Sequence, residues 1–150
     1  MKIYLIAAAV FLSLTAQAFA GAGDQILGTW SNEDGKAKVN IFDCGGSYCG
    51  KIVWLREPDY PRGDKRGMAG KPRVDRDNPD RTKRGRQLLG LQIMEGFVYS
   101  GNDVWSKGRI YDPESGKTYK GKITLVSPKR LHLRGYVGIP LFGRSTTWTR

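Results

Sequence analysis

Two cysteines carry the first candidate chemistry in this chain. Cys44 and Cys49 bracket Gly45-Gly46-Ser47-Tyr48, and the chain has no other thiol. With a single histidine besides, the set is too small for a structural zinc site. Strand formers lead in (Val39, Ile41, Phe42) and lead out (Ile52, Val53, Trp54, Leu55), and the glycine pair permits the positive φ of a tight reversal. The spacing predicts a β-hairpin stapled by a Cys44–Cys49 disulfide, since facing Cα atoms in an antiparallel pair lie roughly 4.5–5.5 Å apart. Closing so short a loop stabilises by only about 2 kcal/mol, so the bond fixes the register of one hairpin rather than the whole fold.

Other reactive residues have plainer readings. His132 alternates with Arg130 and Arg134 and is expected to face solvent; no serine or cysteine sits in a nucleophile elbow. Asp75, Asp77, Asn78 and Asp80 resemble a calcium loop superficially. Pro79 occupies a ligand position, however, and the required glycine and closing glutamate are missing. Asp77-Asn78-Pro79-Asp80 reads instead as a helix start, with Asn78 capping, Pro79 first and Asp80 at the positive end, ended after about one turn by Gly85. The expectation is therefore a non-enzymatic protein with no catalytic residues, metal or cofactor.

Charge is the second signal. The chain carries 25 basic and 14 acidic residues, a formal +11. Residues 56–86 concentrate eleven of these basic residues against six acids, in a Pro- and Gly-rich stretch with almost no apolar side chains. The leading expectation is a solvated, mobile loop. The second is a contact with anionic envelope lipid or polymer through Arg62, Lys65, Arg66, Lys71, Arg73, Arg81, Lys83, Arg84 and Arg86. Nucleic acid is not expected, because the compartment argues against it and Tyr60 is the stretch's lone base-stacking aromatic.

The compartment is read from residues 1–20. Lys2, the apolar run Ile3–Leu14 and Ala18-Phe19-Ala20 have the layout of a cleavable signal peptide, with cleavage after Ala20. The run is too short for a bilayer span, and 21–150 has no other long apolar segment. The expected product is one periplasmic domain, 21–150.

What positions these residues is a series of short strands. Lys36–Phe42, Tyr119–Val126 and Arg130–Val137 alternate apolar and polar residues. Asn32-Glu33-Asp34-Gly35, Asp112-Pro113-Glu114-Ser115-Gly116 and Ser127-Pro128-Lys129 read as turns. Ile26–Trp30, Leu89–Met94 and Gly143–Trp148 are further strands, and Phe97–Tyr111 is one long strand or two joined at Gly101-Asn102-Asp103. The fold class is all-β: about eight antiparallel strands in an up-and-down barrel, with a sandwich as the competing arrangement.

Trp30, Trp54, Trp105, Tyr111, Tyr119 and Trp148 are candidates to fill the barrel or line a pocket in it, with Arg134, Tyr136 and Arg144 as polar contacts near its mouth. The proposed occupant is a small apolar or amphipathic ligand. The alternative is a filled barrel that works through its cationic loop.

The chain resembles DUF2147, a family of small exported bacterial proteins of uncharacterised function. The resemblance rests on Ile26–Trp30, Cys44-Gly45, Tyr48–Leu55, Asp77–Asp80, Leu89–Leu91, Ile110–Pro113, Gly116–Tyr119, Leu133–Tyr136, and Gly143-Arg144 with Trp148–Arg150. It implies a lipocalin-like barrel and brings no catalytic residue. Gly28-x-Trp30 is similar to the lipocalin opening, in which the tryptophan packs against a basic residue of the last strand. Arg144 or Arg150 would be that residue here.

Overall fold

The computed structural model describes residues 21–150; the signal-peptide reading of residues 1–20 lies outside the described residues. Eight antiparallel strands close into a barrel in sequence order. They are β1 (Gly28–Ser31), β2 (Ala37–Asp43), β3 (Tyr48–Leu55), β4 (Gln92–Gly101), β5 (Val104–Asp112), β6 (Lys117–Ser127), β7 (Arg130–Tyr136) and β8 (Arg144–Thr149). Three single-turn 3-10 helices, Asp24–Ile26, Arg81–Lys83 and Pro140–Phe142, complete the elements among the described residues.

The barrel follows from alternation. Facing pairs Trp105↔Ile123, Ile123↔Leu133 and Leu131↔Trp148 run around the inside, and Lys120, Lys122, His132 and Arg134 occupy the opposite parity. Phe97–Tyr111 is two strands, turned at Asn102 and Asp103 with φ of 52° and 58°. Leu89–Leu91 precedes β4 instead of forming its own strand. Gly90 donates to the Ile52 carbonyl and Ile52 to that of Leu91, which carries the chain alongside β3 before β4 begins.

The two ends differ. The β2–β3, β4–β5 and β6–β7 hairpins, the N-terminal segment and Arg150 gather at one end. The β1–β2, β3–β4, β5–β6 and β7–β8 connections gather at the other. The first end is packed solid with Ile26, Trp30, Ile41, Phe97, Trp105, Ile123 and Leu131, all essentially inaccessible to solvent. Phe97 occupies the barrel axis because Gly108 and Gly121 face it. A Cβ added at Gly108 would stand 2.3 Å from the ring and one at Gly121 2.5 Å.

The disulfide forms as expected between Cys44 and Cys49, with Cα atoms 5.9 Å apart, and it sits at this packed end.

Candidate functional site

The other end is hollow. An open cavity of about 1160 Å³ runs from the core to the mouth. Its floor and wall include Val39, Ile52, Leu133 and Trp148 below, and Leu55, Ile93, Ile110 and Tyr119 above. The upper four are only partly buried although they share the inward face of the core strands. Ile110 pairs with Tyr119 directly above the Gly108↔Gly121 pair. On the adjoining strands β7 and β8, Gly135 and Arg144 face each other. Apolar side chains that pack against the core on one side and meet open space on the other are what a ligand-holding barrel requires.

The long β3–β4 connection, 56–91, borders this mouth and is structured. Tyr60 is buried at its centre, with the Arg76 and Arg73 guanidinium carbons 4.2 and 5.3 Å from its ring centroid. Five of its six acids are in ion pairs: Glu57–Arg73, Asp64–Arg76, Asp75–Arg86, Asp77–Arg66 and Asp80–Lys83. The Arg76 hydrogen bond to Asp64 holds that carboxyl below its usual range.

Asp75 is the anchor. It is fully buried and accepts hydrogen bonds from Tyr111 (2.5 Å), Asn78 (2.8 Å) and Arg86 (2.8 Å). Burial, and then the bond to Asp75, push the Tyr111 phenol up to about 12. A second clamp lies at the β5–β6 turn, where a Cβ on Gly116 would come within 2.0 Å of the Asp77 carbonyl oxygen. The connection is thus fastened to β5 and the β5–β6 turn beside the cavity.

The sealed end has its own signature. Arg150 places its guanidinium carbon 4.2 Å from the Trp30 ring centroid and donates to the carbonyls of Gln25, Leu27 and Pro128. Gly28 begins this arrangement at φ 111°, a conformation that favours glycine.

The family model described as "Uncharacterized protein conserved in bacteria" (DUF2147) matches residues 28–150. The chain belongs to DUF2147. Among solved structures, it is similar to protein HP1028 from the human pathogen Helicobacter pylori, described as belonging to the lipocalin family. The identity is 20%, with a TM-score of 0.69 over 83% of this chain and 82% of that one. That likeness establishes a shared lipocalin-like fold. A redesigned β-barrel also matches, at 18% identity, a TM-score of 0.44 and 89% and 98% coverage. No curated protein matches.

The candidate residues divide on this DUF2147 barrel. Tyr119, Trp148 and Arg144 face the cavity, and Tyr111 and Tyr136 stand at its rim. Trp30 and Trp105 belong to the sealed core, and the Trp105 indole donates to the Gly23 carbonyl. Arg150, not Arg144, is the basic partner of Trp30.

Several expectations need correction. Trp54 lies outside: the register shifts between Lys38 and Val39, so Trp54 pairs with Lys38 on the outer face, 41% exposed beneath the Lys38 ammonium. Arg134 also faces out and holds the β7–β8 connection through the Pro140 and Leu141 carbonyls and the Ser145 hydroxyl.

Asp80, not Asn78, caps the short 3-10 turn by accepting from the Thr82 N–H; Asn78 stands two residues earlier, where its side-chain oxygen accepts from the Asp80 N–H and its NH2 donates to Asp75. Residues 56–86 are not a bare solvated loop. Arg66, Arg73, Lys83 and Arg86 are spent on ion pairs and Arg84 on the Asn78 carbonyl. Of the nine cations proposed for an anionic surface, Arg62, Lys65, Lys71 and Arg81 are exposed and outside these pairs.

Sequence reasoning missed Leu55, Ile93 and Ile110 as cavity wall and Asp75 as an anchor. The inward parity of Ile110, two residues from Gly108, was a readable signal. The Asp75–Tyr111 pair had none.

Proposed function

We propose that the protein is an exported, non-enzymatic carrier holding one small apolar or amphipathic molecule in the open half of its barrel. The observation that carries this reading is the partly exposed, inward-facing apolar wall of Leu55, Ile93, Ile110 and Tyr119. The open volume of about 1160 Å³ is somewhat larger than the roughly 300–1,000 Å³ of a drug-sized ligand site and so leaves room for a molecule of drug or fatty-acyl size. Arg144 is the polar element: it faces the cavity near the mouth and is in no ion pair among the described residues. An amphipath with an anionic head would place its tail against Ile110 and Tyr119 and its head against Arg144. Export through the residue 1–20 leader is part of the same proposal.

The test uses Gly135, which faces the cavity. A Cβ added there meets Tyr119 and Ile110 at 3.6–3.9 Å, ordinary contact. Gly135→Leu therefore starts from an unstrained Cβ and sends its branch into the cavity. In titrations with anilinonaphthalene sulfonate, an anionic amphipathic probe, the parent should saturate at one site. Gly135→Leu should weaken binding by about tenfold or more at unchanged circular dichroism, the loss expected when one leucine's volume is denied to an apolar ligand. Arg144→Gln should weaken it less. No saturable binding by the parent, or equal affinity in Gly135→Leu, would overturn the reading. A native mass spectrum of protein taken from cells, with the bound mass released on denaturation, would then identify the cargo.

A further inference from the structure

The β7–β8 connection shows a surface that the cavity does not explain. Val137, Ile139, Leu141 and Phe142 are 72%, 53%, 74% and 78% exposed, on six consecutive residues at the mouth of the barrel. Soluble surfaces scatter such residues singly; a contiguous projecting group marks an interaction site.

The connection is a built tip. Arg134 grips the carbonyls of Pro140 and Leu141, and Pro140–Phe142 forms a 3-10 turn. A Cβ on Gly143 would fall 2.5 Å from the Gly135 carbonyl oxygen, so the tip's two legs close tightly. The apolar side chains are held outward.

The strands that carry the tip are cationic, while the acids of the mouth (Glu33, Asp34, Asp112 and Glu114) sit at the β1–β2 and β5–β6 turns. Residues 115–150 contain no aspartate or glutamate and eight Lys and Arg residues. None of the eight is in an ion pair among the described residues. Lys120, Lys122 and Arg134 lie on the outer face of β6 and β7, and Lys117 begins β6 at the mouth. The long 56–91 connection, by contrast, neutralises most of its acids internally and holds back much of its charge.

We propose that the open end of the barrel docks on an anionic lipid bilayer, with the Val137–Phe142 tip seated among the headgroups and Lys117, Lys120 and Lys122 beside it on the lipid phosphates. A convex apolar tip beside the cationic outer wall of β6 and β7 matches an anionic interface in both respects. Apolar side chains enter the headgroup boundary, and each nearby lysine or arginine adds attraction to anionic lipid. A second copy of this chain is the poorer fit, because it would bring two positive faces together. The inference stands on the outer surface and holds whether or not the cavity carries a ligand.

The test is co-sedimentation with mixed phosphatidylcholine–phosphatidylglycerol vesicles and with pure phosphatidylcholine vesicles. The protein should bind the mixed vesicles, bind the neutral ones weakly, and release as salt rises. Leu141→Ser/Phe142→Ser should weaken binding to the mixed vesicles by about tenfold or more, from two lost apolar insertions. Lys117→Gln/Lys120→Gln/Lys122→Gln should weaken it and flatten its salt dependence, and Arg62→Gln/Lys65→Gln/Lys71→Gln should change it little. Phe142→Trp should shift its emission to the blue on mixed vesicles. The proposal is overturned if the parent ignores the mixed vesicles at low salt, if the tip variant binds like the parent, if the long-connection variant alone loses binding, or if the new tryptophan does not respond. Probe binding without vesicle binding would sink this inference and leave the carrier reading standing.

Discussion

Arg150 lies over Trp30, 4.2 Å from ring centroid to guanidinium carbon, and ties Gln25, Leu27 and Pro128 together by their carbonyls. It does this where the barrel is thinnest, because β1 and β8 share a single register pair, Ser31↔Thr149. One side chain thus supplies much of the seam that the strands leave open. Arg150→Ala should cost about 2 kcal/mol, after discounting its exposed hydrogen bonds, and lower Tm by roughly 6–10 °C. Arg150→Lys should recover little of this, because an ammonium lacks the planar fork that stacks and reaches three carbonyls. Thermal unfolding by circular dichroism decides; a variant melting like the parent would show that the seam holds without it.

Phe97 depends on two glycines in the same way. Gly121→Ala places a methyl 2.5 Å from the ring in a core with no slack. Over-packing of this kind costs about 1–3 kcal/mol. Phe97→Leu, which clears that space, should make Gly121→Ala nearly neutral in the double variant. Denaturant unfolding of the parent, both singles and the double gives the coupling. Strict additivity would mean that Phe97 does not fill the space the two glycines leave.

Most of the barrel was legible because alternation and turn chemistry are local. The Lys120/Lys122 stripe against Ile123/Leu125, the Asn102–Asp103 reversal and the stapled hairpin each depend on residues a few positions apart. Trp54 was misplaced because one bulge at Lys38/Val39 flips the parity of everything beyond it. Asp75 shows in sequence only as one acid of a superficial calcium-loop pattern, whereas its decisive partner, Tyr111, is 36 positions away. The hollow half was not legible either. Ile110 and Ile123 look alike in sequence, and only Phe97, seated over Gly108 and Gly121, separates filled barrel from open barrel.

The disulfide sits at the packed end, opposite the mouth, so its loss should leave the cavity intact. Reducing Cys44–Cys49, or Cys44→Ser/Cys49→Ser, should lower stability by about 2 kcal/mol, the value for so short a loop. Titration with the anionic probe should give the same affinity with and without reductant. A loss of probe binding at temperatures where circular dichroism stays native would mean that the hairpin communicates with the mouth.

The Tyr111–Asp75 bond makes a prediction about alkaline pH. The folded Tyr111 phenol titrates near 12 against 10.0 for an ordinary tyrosine, first because it is buried and then because it donates to a carboxylate. A group whose folded value is raised contributes stability that is complete below its unfolded value and is lost as pH climbs through the folded one. Stability should therefore fall between about pH 10 and 12. Tyr48, which donates to Asp24 and is likewise raised to about 12, adds a similar fall at the sealed end. Tyr111→Phe removes one of these two contributions, so its stability should decline less steeply over that window than the parent's. At neutral pH the variant should be less stable by about 1–3 kcal/mol, because buried Asp75 keeps Asn78 and Arg86 but loses the donor on its other oxygen. Trypsin should also cut within 56–86 sooner, since this bond fastens that connection to β5. Urea unfolding of parent and Tyr111→Phe at intervals from about pH 9 to 12 isolates the effect, because the lysine titrations are common to both. Parallel curves, with equal slopes throughout, would show that the phenol ionises as freely in the folded protein as in the unfolded chain and that Asp75 is anchored by Asn78 and Arg86 alone.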